Sequence, residues 1–89
     1  MHEPMPPVDR IRAFIFRQFP RAREAAVGND ASLLEGGILH SLGVLEIVDF
    51  LETEFGIVFA DEEVVADVFD TIDGMAAFVE AKRDPGADR

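Results

Sequence analysis

The sequence predicts an all-α protein: a small four-helix bundle of three longer helices and one short one, with a long loop between the first and second helices. Three observations predict it. Apolar residues recur at three- and four-residue steps in three separate stretches, the period of a helix that buries one face. Punctuating residues bound those stretches: Pro20 and Gly56 follow the first two, and Asp70-Thr71 precedes the third. The short apolar segment 57–60 (IVFA) is too short to make a sheet on its own. At 89 residues the chain is one domain with room for one modest core.

Each element can be justified in order. Residues 1–7 (MHEPMPP) are a proline-rich polar lead, expected to be disordered, without the basic start and apolar run of a signal peptide. The first helix is expected over residues 8–19, where Val8, Ile11, Phe14, Ile15 and Phe19 share a face. Pro7 suits its first position and Pro20 stops it. Residues 20–40 show no sustained period, and Gly28, Asn29, Asp30, Gly36 and Gly37 favour turns. A loop of about 20 residues is long for a compact domain and needs a role; Leu33, Leu34, Ile38 and Leu39 can anchor it.

The second helix, residues 41–55, is the clearest. Val44, Ile47, Val48, Leu51 and Phe55 form one stripe, and Gly56 follows as a stop. The opposite side carries Leu42, Glu46, Asp49 and Thr53, so Leu42 stands as a large apolar residue among carboxylates. Residues 61–68 can form a short helix with acidic residues at its N-terminus. The last helix is expected over residues 72–83, capped by Thr71 or Asp70, with Ile72, Met75, Ala76 and Val79 as its stripe and Lys82 and Arg83 at its end. Residues 84–89 read as a flexible tail.

The net charge is −10. Such a surface repels phosphate backbones and anionic lipid, so neither nucleic acid nor membrane is an expected partner. No apolar run approaches membrane-spanning length, and a soluble, cytoplasmic protein is expected. The charge is uneven: residues 24–81 hold 14 acidic side chains and no Lys or Arg, so every basic residue lies near one end. An acidic centre is either a solvated surface or a docking face for basic proteins. With no Cys, disulfides, thiolate nucleophiles and Cys-type zinc sites are excluded. Asp67, Asp70 and Asp73 are three apart and do not match the alternating ligands of a calcium loop, so no metal is expected. His40 and Ser41 are adjacent, but a nucleophile elbow needs Gly two places before and after the serine, and Leu39 stands in the first of them.

Ser41 lies where the Gly-containing loop joins the second helix. Two readings of its hydroxyl stand: an N-cap, for which Ser is favoured, or a carrier of a phosphate group, which the free N–H groups and dipole of a helix start stabilise.

The run from Gly37 through Ser41-Leu42 to Val48, then Phe50-Leu51-Glu52 and Glu54-Phe55-Gly56-Ile57, resembles an acyl carrier protein. The downstream Asp61-Glu62-Glu63 and Phe69-Asp70-Thr71-Ile72 fit as well, and the resemblance covers residues 8–83. It implies that Ser41 is the attachment serine. A phosphopantetheinyl transferase would move phosphopantetheine from coenzyme A onto it, and the arm's thiol would hold acyl or aminoacyl groups as thioesters. The protein would not itself be an enzyme. Its partners would be that transferase, a loading ligase and downstream biosynthetic enzymes whose basic patches meet Leu42, Glu46 and Glu52; a monomer is expected.

One residue departs from the family pattern: His40 stands where an Asp usually precedes the serine, and an imidazole does not replace a metal-binding carboxylate. Gly43, Asp49 and Thr53 also differ from the familiar fatty-acid carriers, which favours a specialised pathway. The second-helix stripe reads equally as core or as the lining of a pocket for a fatty chain. Competing readings are an aminoacyl or peptidyl carrier, an unmodified carrier-like docking module, and a small hydrolase using Ser41.

Overall fold

A computed structural model describes residues 5–83; the expected tail at 84–89, and the first four residues of the expected lead, lie outside the described residues. The elements are α1 (Pro7–Gln18), α2 (Pro20–Ala25), α3 (Ser41–Phe55), a 3-10 turn (Asp61–Glu63), α4 (Ala66–Phe69) and α5 (Ile72–Arg83). Among the described residues there is no strand, and the molecule is a small helical bundle. No helix among the described residues is long and apolar enough to cross a membrane.

α1 starts on Pro7 and packs on α5 through the buried Ile11 and Ile15. The expected loop 20–40 is partly helical. Pro20 ends α1 and at once opens α2, because a proline that cannot continue a helix can occupy the first position of the next. Phe19, extended between the two helices, falls outside the helix expected to contain it. α3 has the expected bounds, and Gly56 closes it in the left-handed conformation (φ 68°) that glycine adopts without strain. Its buried row is Gly43, Ile47, Leu51 and Phe55; the last three belong to the expected stripe, Gly43 is added to it, and Val44 and Val48 are half-buried at its edge.

Segment 57–60 runs extended, so its side chains alternate: Ile57 and Phe59 are buried and Val58 is 74% exposed. Phe59 lies flat on Phe78, ring centroids 4.9 Å apart, and beside Phe69. The short helix expected over 61–68 is divided into the 3-10 turn and α4, with Val64 and Val65 between them. α5 begins as expected: the Thr71 hydroxyl accepts the Gly74 N–H at 2.8 Å, and Ile72, Met75, Ala76 and Val79 are buried.

The core draws on every helix and on the α2–α3 connection, which contributes Leu33, Ile38 and Leu39. That connection is held from below. Asp70 accepts the Ser32 hydroxyl at 2.6 Å and the Leu34 N–H at 3.2 Å on its carboxylate, and the Leu33 N–H at 2.7 Å on its carbonyl. The Asp73 N–H donates to the Asn29 carbonyl, and Arg12 donates to Val27 O and Asn29 Oδ1, both at 2.8 Å. The role that a connection of this length needs is to carry the chain across the bundle to the start of α3.

Candidate functional site

α3 starts on Ser41. His40 is its N-cap residue, extended at φ −143°, ψ −176°, and no side chain caps the helix. The capping reading of the Ser41 hydroxyl is therefore corrected: Ser41 is the first helical residue and does not bond the backbone of its own turn. His40 and Ser41 are both exposed. The first turn carries no acidic side chain, so its free N–H groups and the positive end of the helix dipole face no carboxylate of their own turn.

Packing fixes where this start sits. Gly43 is buried in the first turn, and a Cβ there would stand 2.8 Å from Leu39 Cδ1 and 3.0 Å from Phe19 Cε1. Only a residue without a side chain lets Phe19, at the α1–α2 elbow, and Leu39 close on the helix so tightly.

His40 and Ser41 open onto a cleft of about 400 Å³, and the rest of its lining is Leu34, Val44, Leu45, Val64, Val65 and Ala66. None of those six carries a charge. Three exposed apolar side chains belong to this region: Leu45 (62% exposed) and Val65 (45%) line the cleft, and Leu42 (63%) follows Ser41 on the helix. Of the residues singled out from the sequence, Ser41, Leu42 and Glu46 come together on the first two turns of α3, all exposed. Glu46 also borders a second cleft, against α1, with Asp49, Phe14 and Phe50.

Glu52 does not join them. It lies six residues beyond Glu46, about 240° further round the helix. It is half-buried, and its carboxylate accepts the Phe59 N–H at 2.8 Å. Glu52 thus holds the chain as it leaves α3.

Sequence reasoning missed Leu45 and Val65. Leu45 was detectable as the third residue after Leu42 on a helix. Val65 belongs to a pair of adjacent valines, of which Val64 turns inward and Val65 outward. Among the described residues no group of three His, Asp or Glu side chains is placed to hold a metal ion, and Asp70 is committed to Ser32 and Leu34. No protein-family model matches the chain and no curated protein matches it significantly, so the chemistry of the site rests on its own residues.

Proposed function

We propose that the protein is an acyl carrier protein, which holds acyl groups on a phosphopantetheine arm attached to Ser41 and presents them to enzymes that dock on Leu42 and Glu46. The observation that carries this reading is the state of Ser41: an exposed hydroxyl on the first residue of a 15-residue helix, free of any capping bond, at the rim of an apolar cleft. The residues present suit the arm. The N–H groups and dipole of the first turn favour a phosphate on that hydroxyl, and no carboxylate of the turn opposes it. The uncharged cleft wall favours an acyl cargo over an aminoacyl one.

When attached, the arm supplies a thiol that this Cys-free chain lacks and holds the cargo as a thioester. The protein's own residues anchor and present. Through a phosphopantetheinyl transferase, the Ser41 hydroxyl oxygen would attack the pyrophosphate of coenzyme A, forming the Ser41 O–P bond as it gives up its proton and breaking the pyrophosphate P–O bond to release adenosine 3′,5′-bisphosphate. Leu42 buries in a partner, and Glu46 meets a partner's cation. Tethering raises the concentration of the cargo at each enzyme, a loading ligase first. The chain performs no catalysis of its own.

The test is an intact mass after incubation with coenzyme A and a broad-specificity transferase. One phosphopantetheine increment is expected, absent in Ser41→Ala, while that variant unfolds within about 0.5 kcal/mol of the parent because the hydroxyl caps nothing. No increment, or one that persists in Ser41→Ala, overturns the proposal.

A further inference from the structure

Among the described residues, the cleft beside Ser41 has one titratable side chain in its lining, His40. The two residues are neighbours in the chain, with Cα atoms about 3.8 Å apart, and both line the same opening. His40 makes no capping bond to the helix it precedes. Among the described residues no carboxylate lines the cleft, neither Glu35 of the connection nor Asp61, Glu62, Glu63 and Asp67, which flank its valines and Ala66 in the chain. No described Lys or Arg lines it either. Arg21 reaches the connection at Gly37 but lines a different cleft, with Glu24.

We propose that the protonated His40 imidazole is the intramolecular counter-ion of the phosphate carried on Ser41. This rests on the carrier reading. A carboxylate at position 40 would repel a phosphate on its neighbour, whereas an imidazolium attracts it. The linkage runs both ways: the phosphate favours the protonated ring, and protonation draws the phosphate toward His40 and the cleft. Histidine is the side chain whose ordinary titration falls between pH 5 and 8, so the pairing strengthens and weakens across that range. His40 is here a positioning residue, acting on the placement of the arm.

The experiment follows the phosphorus nucleus of the modified protein by NMR from pH 5 to 8. A phosphodiester keeps one negative charge across that range, so its resonance moves only if a neighbour titrates. In the parent the phosphorus resonance should titrate with the same midpoint as the His40 ring protons, and in modified His40→Gln it should stay flat. The His40 midpoint should be higher in modified than in unmodified protein by about half a pH unit, the size that an exposed ion pair supports. That difference should shrink at about 1 M salt. A flat phosphorus resonance in the parent overturns the inference, as does an unmoved His40 midpoint, and the latter comparison needs no variant. If the intact mass shows no arm, the carrier reading fails and the inference with it. If the mass shows the arm and the midpoint stays put, only the inference fails.

Discussion

The two ends of the α2–α3 connection are built on different principles. The far end, residues 27–34, is tied by polar bonds: Arg12 to Val27 and Asn29, Asp70 to Ser32 and Leu34, and the Asp73 N–H to Asn29. The near end, where His40 and Ser41 stand, has no capping side chain; the Ile38 and Leu39 N–H groups donate to the Leu33 carbonyl, and Leu39 and Phe19 close on Gly43, so backbone bonds and packing locate it without a side-chain hydrogen bond. The difference teaches where a small domain places rigidity around a modifiable hydroxyl. Polar bonds brace the chain on the way to the site, and the groups at the site keep their donors and acceptors for something else.

The sharpest way to break the comparison is Asp70→Ala. It removes a carboxylate that accepts two hydrogen bonds across 38 and 36 residues of sequence. Bonds to a charged acceptor are the stronger kind, so urea unfolding should show a loss of about 2–3 kcal/mol. A loss no larger than that of Ser41→Ala would mean that the two ends do not differ. Gly43→Val attacks the near end. Its added side chain meets Leu39 and the Phe19 ring, and overpacking of this kind should cost about 2 kcal/mol by the same measurement.

Along α3 itself, Glu52→Ala should cost about 1 kcal/mol, since the Phe59 N–H loses its acceptor. Glu46→Ala should stay within about 0.5 kcal/mol. Reversal to Lys should invert the ranking in partner binding at low salt, with Glu46 the more damaging.

The smallest effect concerns Glu63. A hydrogen bond from the Lys82 ammonium, at 2.9 Å, and a second from the Ala60 N–H hold its carboxyl below the ordinary value. A carboxyl lowered in the folded state stabilises it above the unfolded value and loses that contribution as pH falls through the folded one. Melting curves of Glu63→Gln and the parent should therefore differ slightly at neutral pH and converge on acidification. Curves that stay parallel down to the acid transition would show that the pair contributes nothing.

The bounds of α3 and α5 were legible because the residues that end or cap them are local: Gly56 after Phe55, and Thr71 three places before Gly74. α2 was not. Its six residues, PRAREA, make about one and two-thirds turns, too few to display a period. Most of the inward face of α3 was legible in Ile47, Leu51 and Phe55, but not Gly43, because a glycine carries no hydropathy signal, yet it is where Phe19 and Leu39 make contact. The place of Ser41 was legible as a junction of loop and helix. The separation of Glu52 from Glu46 was legible only in part, since helical angle sets them apart but the bond to Phe59 depends on how the chain turns after Gly56. The commitment of Asp70 to Ser32 is a contact between distant residues, which periodicity does not report.

One contact far from Ser41 has a practical consequence. The guanidinium groups of Arg10, near the start of α1, and Arg83, at the end of α5, lie 4.7 Å and 5.6 Å from the centre of the Phe55 ring. Arg10 also pairs there with Glu54. Both outer helices therefore meet the last turn of α3, about 20 Å along the helix from Ser41. A fluorescent label placed on the first turn of α1 or the last turn of α5 would sit at that pole, a helix length away from the hydroxyl it is meant to leave undisturbed.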